Sequence, residues 1–174
     1  MRARVDIAII GAGFAGAATA FALARRGARN VAVLEAEPTP GAHASGRNAA
    51  LVRRLIEDPP IAAAAVAGSE FLRRPPSGFA AAPLVSGPGS LLLCRARTAD
   101  ALAEAARRAG AERIAGAEAA ALAPELGGAA PEAAFLTHAD GVADTGALLA
   151  GYLRGIEVVT SCRVLRVIVC GGRV

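Results

Sequence analysis

The sequence predicts an α/β fold that opens on a nucleotide-binding βαβ unit. Three observations carry this: a β-branched run from Val5 to Ile10, the spacing Gly11-Ala-Gly13-Phe-Ala-Gly16, and a second apolar run, Val31 to Leu34, closed by Glu35. Each glycine has a separate task. Gly11 lets the chain turn sharply out of the first strand, Gly13 lets the main chain approach a pyrophosphate, and Gly16 lets the helix pack on the strand. Glu35 lies 19 residues after Gly16, where a carboxylate accepts hydrogen bonds from ribose hydroxyls and repels a 2′-phosphate, so NADP is disfavoured.

The elements follow in order. A helix from about Phe14 to Arg26 ends at Gly27, with Arg25 and Arg26 in its last turn against the helix dipole. Pro38 to Ala50 is polar and punctuated by glycine and proline, which makes it a loop. It leaves the carboxyl end of the second strand, the side of an α/β sheet where ligands bind. Ile61 to Arg73 reads as a helix between proline pairs. Leu84–Ser86 and Ser90–Cys94, split by Gly87-Pro88-Gly89, read as a hairpin. Thr98 is the expected N-cap of a helix to Ala109 with Gly110 as its stop, and Ala117 to Leu122 forms another short helix. Ala133 to Thr137 is a strand, Asp144 or Thr145 caps a helix from Gly146 to Arg154, and Glu157–Thr160 and Arg163–Cys170 are strand-like. Gly171-Gly172 then begins a turn whose return strand is missing.

Composition narrows the function classes. The net charge is +4 and all 19 basic residues are arginine, scattered in pairs without interleaved aromatics, so no nucleic-acid partner is expected. Cys94, Cys162 and Cys170 form no C-x-x-C pair, which points to buried thiols in a reducing cytoplasm and neither a metal site nor a disulfide framework. Ile7 to Ala24 is an uncharged run of 18 residues behind Arg2 and Arg4, open to reading as a signal or membrane helix. Asp6 at its mouth and the glycine spacing oppose that, and no membrane span is expected.

Four stretches resemble the FAD-dependent D-amino-acid oxidase superfamily, most of all its D-arginine dehydrogenase group: Ile9 to Gly16, His43-Ala-Ser-Gly-Arg-Asn-Ala-Ala50, Pro75 to Phe79 with Pro83-Leu84, and Asp144 to Ile156. They occur in family order and cover about the first half of such a protein. The resemblance implies a Rossmann-like FAD-binding domain from residues 1–80 and 138–174, with an inserted, incomplete α+β substrate-binding domain at 81–137. It makes cofactor contacts of Gly11, Gly13, Ala15, Gly16, Glu35, Ala36, Ala44, Ser45, Gly46, Arg47, Asn48, Ala49, Ala50, Leu51 and Val164. Ser45 and Asn48 supply hydrogen bonds, Arg47 offsets phosphate charge, and Ala49 and Ala50 let main-chain amides near a flat ring. His43 is the one titratable group of this loop suited to acid or base work, and its expected role is structural.

The implied reaction is oxidation of an amine or amino acid to an imine by hydride transfer to flavin. Where the D-arginine group has a histidine and a tyrosine on the substrate side, this sequence has Leu51 and Ile56. Where it has a glutamate for the cationic side chain, this sequence has Ser90, so a smaller or less polar amine is expected. None of the arginines matches the one that clamps the substrate carboxylate, and no catalytic residue is assigned. As an amino-terminal portion the chain is expected to be inactive and poorly soluble alone. The alternatives are an NAD-binding dehydrogenase domain, a non-catalytic nucleotide-binding subunit that associates with a flavoprotein partner, or a remnant without function.

Overall fold

The computed structural model describes residues 4–126 and 131–169. The chain divides into two compact units, one of residues 1–49, 78–81 and 144–174, the other of residues 50–77 and 82–143. The division expected from the resemblance, at 80/81 and 137/138, placed residues 50–77, 81 and 138–143 on the other side.

The first unit begins with β1 (Ile7–Ile10), α1 (Phe14–Arg25) and β2 (Val31–Leu34). The second contains β3 (Leu51–Val52), α2 (Pro59–Arg73), β4 (Val85–Ser86), β5 (Ser90–Cys94), α3 (Ala96–Ala109), β6 (Glu112–Ala115), α4 (Gly116–Leu122), β7 (Ala133–Thr137) and β8 (Gly141–Ala143). The chain then returns to the first unit with α5 (Thr145–Leu153) and β9 (Glu157–Val159).

In the first unit β1, β2 and β9 form a parallel sheet in that order, with Ile7 opposite Val31 and Ala32 opposite Glu157. A parallel pair requires a crossover, and α1 supplies it. Ala12, Ala20 and Val33 make the centre of its core, joined by Ile9, Val31, Ile156 and Val158. Small alanines on α1 let the helix lie close to the sheet. Phe79, carried by the short excursion at 78–81, meets Phe21 of α1 and Tyr152 of α5 edge-on at 5.3 and 5.2 Å between ring centres. Phe21 and Tyr152 also touch edge-on at 5.5 Å. Burial raises the Tyr152 phenol above its ordinary pKa.

The second unit holds two antiparallel sheets, β3-β8-β4 and β5-β7-β6. Alternation along β5 and β7 gives the larger sheet two apolar faces. Leu92, Cys94, Ala133 and Phe135 pack with the Leu102 side of α3, while Leu91, Leu93, Ala134 and Leu136 pack with Ile114 of β6 and Ala119 of α4. Asp58 caps α2, accepting from the Ile61 N–H at 3.0 Å, and Gly110 in the left-handed region ends α3.

Several expectations are corrected. Leu84–Ser86 and Ser90–Cys94 are not a hairpin: β4 pairs with β8 and β5 with β7. Gly87 and Gly89 both have positive φ, and a Cβ at Gly89 would stand 2.6 Å from the Thr137 carbonyl oxygen. The turn therefore delivers β5 to β7 instead of back to β4. Thr98 does not cap α3, which starts at Ala96; the Glu132 carboxylate accepts from the Ala96 N–H at 2.8 Å from 36 residues away. Residues 163–169 carry no strand, since nothing in the described chain pairs with them, and Leu165 is 88% exposed. Cys170 and the turn at Gly171-Gly172 lie outside the described residues. The strands β3, β6 and β8 had no clear sequence signal.

Phe135 is 2% exposed at the centre of the larger sheet. Phe135→Ala is expected to cost the second unit about 3–5 kcal/mol. A urea midpoint unchanged from wild type would show that the Leu92–Leu102 cluster is not its core.

Candidate nucleotide-binding site

The site is built where β1 passes into α1. Gly11 has φ +98°, and its N–H continues the ladder by donating to Leu34 O at 2.8 Å. The turn then folds back on itself. A Cβ at Gly16 would lie 1.9 Å from the Gly11 carbonyl oxygen and 3.3 Å from Ile9, so only glycine lets the first turn of α1 sit on the end of β1. At Gly13 a Cβ would meet Ser45 Oγ at 2.8 Å.

Glu35, at the carboxyl end of β2, is buried, and both carboxylate oxygens accept main-chain N–H groups. Oε2 takes Ala12 at 2.7 Å and Oε1 takes Glu37 at 2.9 Å. The Glu37 and Ala12 amides, in that order, hold its pKa below the ordinary 4.5 against the opposing effect of burial, with smaller help from the Ala36 amide and His43. A carboxylate has about four lone-pair sites, so each oxygen keeps capacity for a further donor. Glu35 also fixes its surroundings through its main chain: its N–H donates to Val159 O at 2.8 Å and its carbonyl accepts from Cys162 N at 2.7 Å.

The loop after β2 is drawn onto the helix end. Ser45 Oγ accepts from the Phe14 N–H at 2.9 Å, which satisfies one of the unpaired donors at the start of α1. Its own hydroxyl proton remains a donor. Asn48 Nδ2 bridges the carbonyls of Ala44 and Ser45 at 3.2 and 2.9 Å, and Gly46 packs on Gly41, whose carbonyl oxygen would be 2.6 Å from a Cβ there. His43 Nε2 is 3.1 Å from Glu37 Oε1 on the surface. The residue expected to do structural work in this loop thus contacts a carboxylate.

Of the sequence-predicted contacts, Gly11, Gly13, Gly16, Glu35 and Ser45 are brought together by these bonds. Ala15, exposed, lies in the first turn of α1; Ala36 follows Glu35; Ala44, Gly46, Arg47, Asn48 and Ala49 form the exposed run of the docked loop. Val164 is half-buried and not in a strand, two residues beyond the Cys162 amide that bonds Glu35. Ala50 (φ +56°) and Leu51 belong to the second unit, where Leu51 pairs with Val142 across the β3–β8 ladder. Sequence reading missed the Ala12 and Phe14 amides as the groups that Glu35 and Ser45 hold. Main-chain donors leave no trace in side-chain identity, and their partners lie 23 and 31 residues away.

A βαβ unit with a glycine turn, an acid after the second strand and a serine-capped helix end defines a nucleotide-binding α/β protein. The chain belongs to the FAD dependent oxidoreductase family, which matches residues 6–174, and the cofactor of that family is FAD. It is similar to the L-amino acid deaminase of Proteus myxofaciens (TM-score 0.78, 23% identity, covering 99% of this chain and 41% of that one). It is similar to the glycine oxidase of Bacillus cereus ATCC 14579 (TM-score 0.78, 17% identity, 97% and 50%). A third is the L-α-glycerophosphate oxidase of Mycoplasma pneumoniae, with FAD bound (TM-score 0.67, 16% identity, 90% and 44%). The chain thus spans from 41% to half the length of these structures. Among the described residues no helix is long and apolar enough to cross a membrane, and no group of three or more His, Cys, Asp or Glu is placed to hold a metal.

Glu35→Gln tests the electrostatics of the turn. Its NH2 would face one of two main-chain N–H groups, at an expected cost of about 1–3 kcal/mol at neutral pH. Because folding lowers the Glu35 pKa, its contribution is present above 4.5 and is lost as pH falls through the lower folded value. Unfolding curves of wild type and Glu35→Gln should therefore converge in acid. Parallel curves would place the charge elsewhere.

Proposed function

We propose that this chain is the cofactor-holding portion, with part of the substrate-binding portion, of an FAD-dependent oxidoreductase that oxidises an amine or amino acid to an imine. In domain terms residues 1–80 and 138–174 are the FAD-binding domain and 81–137 belong to the substrate-binding domain. The observation that carries the reading is the Gly13–Ser45 approach. With no Cβ at Gly13 and a hydroxyl 2.8 Å from where one would stand, the helix end is a cradle that a side chain would fill. These residues fit the pyrophosphate of FAD. A helix amino terminus with main-chain donors attracts a doubly charged anion, Ser45 adds a hydroxyl donor, and Arg47 offsets charge.

Glu35 already sits in the turn, held by two main-chain amides, and its remaining lone pairs would accept from the ribose hydroxyls. Gly11, Gly13, Ala15, Gly16, Ala36, Ala44, Gly46, Asn48, Ala49, Ala50, Leu51 and Val164 are the further residues that would hold FAD. When bound, FAD supplies the two-electron acceptor that takes hydride from the carbon bearing nitrogen. The protein's part is orientation and exclusion of water. On the substrate side Ser90 carries no charge and its hydroxyl donates to Asp140 at 2.7 Å, so it is not set to balance a guanidinium. An amine or amino acid with a side chain smaller or less polar than that of arginine is the substrate class.

Titrating FAD while following flavin absorbance tests this. Gly13→Val is expected to weaken FAD by about tenfold or more, with ADP weakened in parallel because both share the diphosphate. In the complete protein, amino acids with uncharged side chains should turn over faster than D-arginine. Equal FAD affinity in Gly13→Val, or faster oxidation of D-arginine, would refute the corresponding half of the reading.

A further inference from the structure

Helix α5, in the first unit, has no role in the function proposed above, yet its place is firmly set. Asp144 caps it, Oδ1 accepting from the Ala147 N–H at 2.8 Å. Tyr152 meets Phe21 of α1 edge-on, and the Phe79 ring packs where Gly151 has no Cβ. Leu149, half-buried, stands three residues before Tyr152 and so on the same side of the helix. It reaches the loop that follows β2. A Cβ at Gly41 would stand 2.6 Å from Leu149 Cδ2 and 3.7 Å from Ser45 Cβ, so both residues border the space that a side chain at position 41 would take. Gly41 is buried and has φ +72°, which favours glycine there on backbone grounds as well. Its carbonyl oxygen lies under Gly46, 2.6 Å from where a Cβ of that residue would be.

Bonds inside the loop give it shape: the Gly46 N–H donates to His43 O at 3.0 Å, and Asn48 Nδ2 bridges the Ala44 and Ser45 carbonyls. Contacts that place it on other elements include Ser45 on the Phe14 amide, His43 beside Glu37, and Leu149 over Gly41. The His43–Glu37 pair is exposed and contributes little. Leu149 is backed by a helix that is itself fixed to α1. The route therefore closes on itself. One helix, α1, offers the Phe14 amide at its start and Phe21 further along; Phe21 holds Tyr152, and the helix of Tyr152 carries Leu149 back to the loop. We propose that Leu149 is a positioning residue for the cofactor's diphosphate, which seats Ser45 on the amino end of α1 by acting through Gly41. This rests on the function proposed above, in which Ser45 and that helix end take the diphosphate. A ligand group carried on a loop is only as well placed as the shell behind it.

The test compares the full chain with Leu149→Ala, Leu149→Met, Ser45→Ala and the double variant Leu149→Ala/Ser45→Ala. Amide hydrogen exchange without ligand reads the seating directly, since Ser45 holds the Phe14 N–H and Glu35 holds that of Ala12. Leu149→Ala is expected to speed exchange at Phe14 and leave Ala12 unchanged. It should weaken FAD and ADP alike, by about tenfold, as loss of a hydrogen bond to a charged group does. Leu149→Met keeps the reach and volume of the side chain and should restore both exchange and affinity. The double variant should bind FAD no more weakly than Ser45→Ala, because Leu149 acts through that residue. Equal speeding at the two amides, unchanged FAD affinity in Leu149→Ala, or losses that add in the double variant overturn the positioning role while leaving the proposed function standing. Should Leu149→Ala not fold, Leu149→Val, which removes the Cδ atoms with less loss of volume, is judged by the same outcomes. A wild-type chain that takes up neither FAD nor ADP overturns the proposed function and this role with it.

Discussion

The first unit depends on how closely main chain can approach main chain at the end of β1. Gly11 turns, and Gly16 returns to within a distance of the Gly11 carbonyl that no Cβ would allow. That contact sets where α1 begins and therefore where its unpaired amides point. Two side chains from distant parts of the chain then complete the geometry: Glu35 takes the Ala12 amide and Ser45 takes that of Phe14. The carboxylate and the hydroxyl both act as acceptors toward the main chain and both keep capacity for a ligand. Groups preassembled in this way have little left to order on taking a ligand, which lowers the conformational entropy cost of binding.

Charge is arranged in keeping with that. Buried carboxylates are costly unless hydrogen-bonded. Glu35 meets this condition through main-chain N–H groups, and the arginine of the loop, Arg47, stays exposed on the surface. In the second unit Asp140 solves the same problem differently, accepting from one main-chain amide and one hydroxyl while Arg73 secures the surrounding carbonyls. Each acid stabilises a bend by bonding segments far apart in sequence. Glu35 does so across 23 residues, and Asp140 across 86 and 50.

Much of the first unit was legible in the sequence because its signals are local. The glycine spacing, the apolar runs of β1 and β2, and the helix stop at Gly27 each reflect a short-range steric or hydrogen-bonding need, and the structure has those elements within a residue or two. Helix α2 was equally plain from its proline pairs, although it takes Pro59 and Pro60 into its first turn and its Asp58 cap was not foreseen. The failures share a cause. The supposed hairpin at Leu84–Cys94 had the right turn residues, yet the two strands pair with β8 and β7, which lie some 50 residues on and could not be weighed from the turn alone. The start of α3 was misplaced because its cap comes from Glu132. β3 and β8, at two and three residues, are shorter than any periodicity can reveal.

By itself, then, the sequence determined the class of the opening unit, the acid that ends β2 and the loop that carries the serine, since these follow from backbone sterics and hydrogen bonding over a few residues. Only the tertiary structure decided what Glu35 and Ser45 hold, which strands share a sheet, and that a buried aspartate joins two of them. Those outcomes depend on pairing between segments separated by tens of residues, where the free energy of contact is set by packing in three dimensions and leaves no local pattern to read.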